Sequence, residues 1–172
     1  MAGTHGLRPQ LIRRVLAALR RVLSRRAAAR RPEIYQVAAL PVRVSRSGRL
    51  EVLLISTRGS SGKLIIPRGW PMKGKADFQA AACEAEEEAG VLGPVSLHPI
   101  GAYEYRHERK AGGKLIRVDV YRLDVMRCVP GFKERGQRRL TWVGPVRAAE
   151  LVGDPGLAVI IRDLVRHEPY PG

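Results

Sequence analysis

Three glutamates at helical spacing are the residues of this chain best suited to chemistry. Glu84, Glu87 and Glu88 stand at positions i, i+3 and i+4 of an Ala-rich segment that Gly90 ends, so a helix places all three on one face. Two unpaired carboxylates at about 4 Å repel by roughly 4 kcal/mol at an effective dielectric constant of about 20. A hard divalent cation such as Mg²⁺ relieves this repulsion, because it prefers oxygen ligands. The spacing therefore predicts a metal site, although acidic runs on helices are also typical of solvated faces.

The residues around these glutamates predict the elements that position them. A Lys-Leu-Ile-Ile-Pro stretch, typical of a strand, leads into a loop that contains Gly69 and Gly74. A helix is expected over about Asp77–Ala89, with Asp77 as its N-cap and Gly90 at the C′ position. This sequence of strand, Gly-containing loop and capped helix favours a functional site over a solvated face.

Apolar runs in the rest of the chain predict an α/β fold, in which a mixed sheet carries helices on both sides. Ser47-Gly48 and Gly112-Gly113 are expected in turns between neighbouring strands. Strands are expected at about Tyr35–Val44, Leu50–Ser56, Leu64–Ile66, Val95–Tyr105, Leu115–Val125 and Leu140–Val143, and short helices near Val146–Leu151 and Pro155–His167.

The glutamate segment resembles the Nudix box, Gly-x5-Glu-x7-Arg-Glu-U-x-Glu-Glu-x-Gly-U, where U is apolar. Lys75 stands where the box has its first Glu, and Cys83 stands where the box has Arg. In the family that Arg pairs with the acidic cluster and orients a catalytic carboxylate. The resemblance implies an α/β/α sandwich and a hydrolase that uses Mg²⁺ or Mn²⁺ on a nucleoside diphosphate linked to another group. The positions that match in register are Gly69, Glu84, Ala85, Glu87, Glu88, Gly90 and Val91.

Neighbouring motifs are similar to those of diphosphoinositol polyphosphate phosphohydrolases and their bacterial relatives. The Ile-Pro-Arg-Gly-Trp-Pro-Met-Lys-Gly segment at 66–74 looks like the Pro-Lys-Gly-Trp-Pro-x-x-Gly lead-in of that subfamily, and Tyr103-x-Tyr105 follows further on. Trp142 closes a later motif from which Phe132 and Lys133 depart. The resemblance implies a phosphoanhydride substrate: a diadenosine polyphosphate, a nucleoside diphosphate derivative or an inositol pyrophosphate.

The chemistry of displacement at phosphorus, together with the resemblance, suggests a role for each candidate site residue. Glu84 and Glu88 are the first candidate metal ligands, and Glu87 is a third ligand or orients the attacking water. Glu134, from a loop, is a candidate general base, so these four glutamates form the candidate catalytic set. Basic residues near the lead-in and on a hairpin are candidates for binding substrate phosphates: Arg68, Lys73, Arg106, Arg109, Lys110, Lys114 and Arg117.

The charge of the chain is strongly positive and unevenly placed. It has 31 Lys and Arg against 16 Asp and Glu, a net charge of +15. Nine Arg and no acidic residue lie in residues 1–32, so a net charge of +6 remains for residues 33–172. Residues 8–31 have the spacing of a basic amphipathic helix. The expected organisation is a helical extension over 1–32 and a Nudix domain over 33–168.

Such an extension has several candidate partners. Its Arg-rich face would attract nucleic acid or an anionic membrane surface, and its apolar stripe could pack on the domain or in a homodimer. A mitochondrial transit peptide has a similar composition. Two cysteines give no disulfide framework, which favours the cytoplasm.

Two other classes of function are open at the level of sequence. The Arg-rich segment would suit an RNA 5′-end pyrophosphohydrolase or an RNA-associated Nudix protein, although no interleaved aromatic pattern indicates base stacking. Lys75 and Cys83 would suit a catalytically weak Nudix module that senses a nucleotide or an inositol phosphate.

Overall fold

The computed structural model describes residues 34–58, 62–107 and 113–167. The predicted N-terminal helix therefore lies outside the described residues. The elements of the described part are β1 (Tyr35–Val44), β2 (Leu50–Ser56), β3 (Leu64–Ile65), β4 (Arg68–Gly69), α1 (Asp77–Ala89), β5 (Val91–Leu92), β6 (Gly101–His107), β7 (Lys114–Asp124), β8 (Arg127–Cys128), β9 (Leu140–Val143), α2 (Pro145–Leu151) and α3 (Pro155–His167).

A mixed sheet forms the centre of the domain. Its main strand order is β3-β2-β1-β7-β6, with β4 paired to β1 and β9 paired to β2. Strands β1 and β7 run parallel, from Tyr35 opposite Arg117 to Val42 opposite Asp124, whereas the other pairings in this sheet are antiparallel. A separate two-stranded sheet joins β5 and β8.

Both faces of the sheet are buried, which explains why β1 reads as a continuous apolar run. Side chains alternate along a strand, so Val37 and Ala39 belong to one core cluster, whereas Ala38, Leu40 and Val42 belong to the other. The first cluster packs against α1, which contributes the small residues Ala80, Ala81, Ala85 and Ala89. The second cluster packs against α2 and α3, which contribute Ala148, Ala149, Leu157, Ile161 and Leu164.

The structure confirms the predicted sandwich, in which helices cover both faces of a mixed sheet. The predicted strand Val95–Tyr105 is wrong in its first half, because β6 begins only at Gly101. Val95 forms an isolated bridge to Leu123 of β7. Pro99 lies between Val95 and the start of β6, and it interrupts the ladder with β7 because it has no N–H to donate. The two-residue strands β4, β5 and β8 were too short to give a sequence signal.

The turn predicted at Ser47-Gly48 is confirmed, and Gly48 adopts a positive φ of 76°. The tip of the predicted hairpin at 108–112, which includes Arg109 and Lys110, lies outside the described residues. Among the described helices, none has the length and apolar character needed to span a bilayer.

Candidate active site

Helix α1 carries the three glutamates, and its two ends fix their orientation. The predicted N-cap, Asp77, is wrong by one residue: Ala76 is the N-cap, and its backbone N–H donates to Gln79 Oε1 at 2.9 Å. Asp77 instead lies in the first turn, where a negative charge is favourable, and its side chain accepts a hydrogen bond from the Tyr35 hydroxyl at 3.1 Å. At the other end Gly90 adopts φ 64°, ψ 28°, so the predicted C′ glycine is confirmed.

A cleft of about 530 Å³ opens beside α1. It lies where α1, β4, β6 and the loop between β8 and β9 meet. All four glutamates predicted to be catalytic line it, together with Arg68. The full lining of the cleft is Gln36, Thr57, Arg58, Ile65, Arg68, Gly69, Trp70, Glu84, Glu87, Glu88, Tyr105, Lys133, Glu134 and Arg138.

Glu84 lies directly against the backbone of β4. A Cβ atom at Gly69 would overlap the Glu84 carboxylate, so only glycine allows β4 to approach the helix this closely. Among the described residues, Glu84 has no hydrogen-bonding or ion-pair partner. Burial, followed by the nearby charges of Glu88 and Glu87, raises the pKa of Glu84 from 4.5 to about 7. The carboxyl group of Glu84 therefore titrates near neutral pH in the metal-free protein.

Glu88 is the buried member of the cluster and is held from two sides. Its Oε2 accepts a hydrogen bond from the backbone N–H of Arg68 at 3.1 Å, which ties β4 to α1. Its Oε1 is ion-paired with the Arg138 guanidinium, and both side chains are 7% exposed. Burial raises the pKa of Glu88, while Arg138 acts in the opposite direction. A paired guanidinium is what allows a carboxylate to remain charged at this depth.

The loop between β8 and β9 brings a fourth carboxylate to the helix. The backbone N–H of Val129 donates to the carbonyl of Gly90 at 2.8 Å, and that of Glu134 donates to the carbonyl of Glu87 at 3.0 Å. These bonds hold Glu134 beside α1, where its buried side chain is 2.6 Å from Arg138 Nε. Arg138 also donates to the carbonyl of Ser56 at 2.9 Å, so one guanidinium joins the helix, the loop and the end of β2.

Two more cations reach the carboxylates from the rim of the cleft. Lys133 Nζ lies 2.5 Å from Glu87 Oε2, and the contact raises the pKa of Lys133. Arg58 is ion-paired with Glu134 and also donates from Nε at 3.2 Å. Both cationic side chains are largely exposed, at 67% for Lys133 and 62% for Arg58.

The lining of the cleft also includes an arginine, Arg68, that is held by aromatic side chains. The guanidinium of Arg68 lies 4.0 Å from the centre of the Tyr105 ring and donates to the Tyr103 hydroxyl at 3.1 Å. The Tyr105 hydroxyl in turn donates to Gln36 Oε1 at 2.9 Å. Because Arg68 is fixed by stacking and hydrogen bonding, it meets an incoming anion with little loss of conformational entropy.

The carboxylate oxygens have the hard-ligand chemistry that Mg²⁺ and Mn²⁺ prefer, and they share one cleft. Among the described residues, however, no three His, Cys, Asp or Glu side chains are grouped as a ready metal site. Glu87, Glu88 and Glu134 each face a cation. The carboxylates therefore have the ligand chemistry and the shared location that suit a divalent cation. In the structure described here, three of them are paired with basic side chains.

In the described part of the chain, the other predicted substrate-binding residues are not in the lining of the cleft. Arg117 pairs with Asp119 at 2.8 Å, and Arg106 Nη1 is 3.4 Å from the carbonyl of Gly113. Lys73 is exposed in the loop before α1. Lys110 lies outside the described residues. A role in substrate binding stays a prediction for these four residues and for Arg109 and Lys114.

Sequence reasoning missed Arg58 and Arg138 as parts of the site. Their partners are far away in the chain, and nothing in the local pattern distinguishes them from the many other arginines. Trp70 is 49% exposed and lines the cleft, so it is not packed in the core.

The sequence matches no protein-family model and no curated protein. Solved structures are nevertheless similar. A C. elegans Ap4A hydrolase in a binary complex aligns with a TM-score of 0.59 at 19% identity, over 77% of this chain and 96% of that chain. The Nudix domain of Shewanella oneidensis NrtR complexed with ADP ribose aligns with a TM-score of 0.59 at 15% identity, over 82% of this chain and 92% of that chain.

A third similar structure is a Nudix hydrolase from Nitrosomonas europaea. It aligns with a TM-score of 0.57 at 23% identity, over 80% of this chain and 93% of that chain. Identities this low establish the fold and leave the substrate open. The chain has the fold of the Nudix hydrolases.

Proposed function

We propose that this protein is a metal-dependent hydrolase that cleaves a phosphoanhydride bond in a polyphosphorylated substrate. The observation that carries the proposal is the convergence of Glu84, Glu87 and Glu88 from α1 with Glu134 from a loop in one cleft. The cleft belongs to a fold shared with Nudix hydrolases. Displacement at phosphorus requires neutralised phosphoryl oxygens and an activated water. Carboxylates that hold a divalent cation would meet the first requirement, and a carboxylate that acts as a base would meet the second.

Glu84, Glu87 and Glu88 would hold Mg²⁺ or Mn²⁺, which supplies charge neutralisation and a more acidic bound water. The protein's own residues have separate tasks. Glu134, fixed by Arg138 and by the carbonyl of Glu87, would accept a proton from the attacking water. Arg68, in the lining of the same cleft, would bind a phosphate oxygen, because Tyr103 and Tyr105 already hold its side chain in place.

Within this class, we propose a substrate that carries a nucleotide. Trp70 is half-exposed on the lining of the cleft, and its ring gives a base a surface on which to stack. The similar C. elegans structure is described as an Ap4A hydrolase and the similar NrtR domain binds ADP ribose. We therefore propose diadenosine polyphosphates and nucleoside diphosphate derivatives as substrates ahead of inositol pyrophosphates, because inositol pyrophosphates have no base.

A ligand-sensing module is the second candidate. It is favoured by the ion pairs at Glu87, Glu88 and Glu134, which leave no ready metal site among the described residues. Such a module would bind the same polyphosphorylated ligand without turning it over.

A substrate panel with Mg²⁺ and with Mn²⁺ tests the proposal. The panel contains a diadenosine polyphosphate, ADP ribose, an inositol pyrophosphate and a capped RNA, and released phosphate or nucleotide is measured. We expect metal-dependent turnover of a nucleotide substrate that falls by orders of magnitude in Glu88→Gln. Glu86→Gln, at an exposed position of the same helix, is the matched control and should be unaffected.

Three results would redirect the assignment. Binding without turnover for every compound would favour the sensing module, and turnover confined to the capped RNA would favour the RNA-directed alternative. Trp70→Ala should raise KM for the nucleotide substrate and leave any inositol pyrophosphate activity unchanged. An equal effect on both compounds would remove base stacking from the proposal.

A further inference from the structure

The cleft is lined by equal numbers of acidic and basic side chains. Among the described residues, its charged lining consists of four glutamates and four basic side chains. A polyphosphate accompanied by a divalent cation is also a ligand of paired opposite charges. The cleft thus holds cations that suit phosphate oxygens and carboxylates that suit a metal, and three of the four carboxylates are now paired with three of the cations. The basic members are Arg58, Arg68, Lys133 and Arg138.

These cations differ in how firmly they are held. Arg138 is 7% exposed and bonds Glu88, Glu134 and the carbonyl of Ser56, so it is part of the folded framework. Arg58 and Lys133 are mostly exposed, and the carboxylates with which they pair belong to the candidate catalytic set. The pair of Lys133 with Glu87 is open to water on both sides, and such ion pairs contribute little net stability. Glu134 is buried, but it keeps Arg138 as a partner when Arg58 leaves. The two rim cations can therefore leave their carboxylates at small cost.

We propose that Arg58 and Lys133 are substrate-binding residues that exchange partners when the ligand arrives. In the state described here they neutralise Glu134 and Glu87. With Glu87 neutralised by a bound divalent cation and Glu134 still paired with Arg138, the two side chains would turn to the phosphate oxygens of the substrate. A guanidinium and an ammonium both bind phosphate with charge-assisted hydrogen bonds. The inference rests on the proposed function and adds two residues to it.

The exchange makes a prediction that a merely structural role does not make. Replacing either rim cation by Met removes a positive charge that opposes the binding of a metal cation in the same cleft, and it also removes a ligand of the phosphate. Metal affinity and anion affinity should therefore change in opposite directions. Damage to the fold or a general loosening of the cleft would weaken both.

The experiment uses the full chain and two separate binding measurements. Mn²⁺ binding is followed by electron paramagnetic resonance without any anion, and binding of the non-hydrolysable α,β-methylene ADP is followed by calorimetry at saturating Mg²⁺. In Lys133→Met and Arg58→Met we expect about two- to fivefold tighter Mn²⁺ binding and at least about tenfold weaker binding of the analogue. Lys133→Arg should stay close to the wild type in both measurements.

Arg147→Met is the matched control, because Arg147 is also 62% exposed and pairs with Glu150 outside the cleft. It should alter neither constant. Unchanged constants in the rim variants, or constants that weaken together, would overturn the exchange while leaving turnover in the wild type to support the proposed function. A wild type that neither binds Mn²⁺ nor hydrolyses any substrate would overturn both.

Discussion

The side-chain nitrogen of Lys75 lies 2.8 Å from the sulfur of Cys83. These residues stand at the two positions where this chain departs from the Nudix box, which has Glu and Arg there, and the two departing side chains contact each other. The hydrogen bond to Cys83 is the main cause that raises the pKa of Lys75. A cation thus stands where the box has an acid, and the two departures from the box are coupled.

We therefore expect Cys83→Arg alone to lower the melting temperature, because it brings a guanidinium against the Lys75 ammonium. The double variant Lys75→Glu/Cys83→Arg restores opposite charges and should recover the wild-type value. Thermal unfolding of the wild type, both single variants and the double variant completes the cycle. A single Cys83→Arg variant as stable as the double variant would contradict the coupling.

A second prediction concerns Arg138, which bonds two buried carboxylates at once. Arg138→Met leaves Glu88 and Glu134 without this partner in a buried setting, and removing one partner of a buried pair costs about 3–5 kcal/mol. Arg147→Met breaks an exposed pair and should cost only about 0–1 kcal/mol. Urea unfolding of the metal-free proteins gives both free energies, and equal losses would show that Arg138 does not bind the site together.

The contrast between helix α1 and Arg138 shows what sequence could and could not predict. The common face of Glu84, Glu87 and Glu88 and the end of the helix at Gly90 follow from helical periodicity and from glycine's freedom at positive φ. Both are local properties of the chain. The longer strands of the sheet could be predicted in the same way, because they are continuous apolar runs bounded by turns.

The partners of the glutamates are not local. Arg138 meets Glu88 across 50 positions, and Arg58 meets Glu134 across 76. In a chain with 31 Lys and Arg, nothing in the local sequence selects these two. Charge counting predicted attraction for polyanions, whereas the fold directs part of that charge onto its own carboxylates.

The raised pKa of Glu84 leads to a third prediction, on stability against pH. The folded protein holds this proton more tightly than the unfolded chain, since the pKa rises from 4.5 to about 7. The resulting stabilisation is complete below the unfolded pKa and is lost as the pH rises through the folded one. In the presence of a chelator, Glu84→Gln should therefore raise the melting temperature relative to the wild type at about pH 8 and leave it unchanged at about pH 4.

Glu86→Gln is the control, because this exposed residue is on the same helix. It should shift neither melting temperature. If Glu84→Gln had the same effect at both pH values, the buried carboxyl would not be the group that titrates.

A fourth prediction concerns residues 1–31, which hold nine Arg and no acidic residue. Every proposed catalytic residue lies at positions 84–134, so deletion of 1–31 should leave turnover of a small dinucleotide within a few fold. The same deletion should weaken binding to long polyanions or anionic vesicles. This loss should shrink as salt rises, because exposed charges are screened beyond about 10 Å at 0.1 M. Turnover abolished in a folded, truncated protein would place the segment in the active site.

The last prediction tests how the loop that carries Glu134 is fixed to α1. Gly90 has a φ of 64°, and a Cβ atom there would overlap the ring of Phe132 and lie 2.8 Å from the carbonyl oxygen of Val129. Gly90→Ala therefore forces the loop away in addition to straining the backbone. Gly48 also has a positive φ but has no atom within 4 Å of its Cβ position, so Gly48→Ala incurs only the backbone strain of about 1–2 kcal/mol.

Gly90→Ala should destabilise the protein more than Gly48→Ala does, and it should also lower turnover, because Glu134 moves with the loop. Gly48→Ala should leave turnover unchanged. Equal losses of stability, with full activity in both variants, would show that Glu134 keeps its place without this contact.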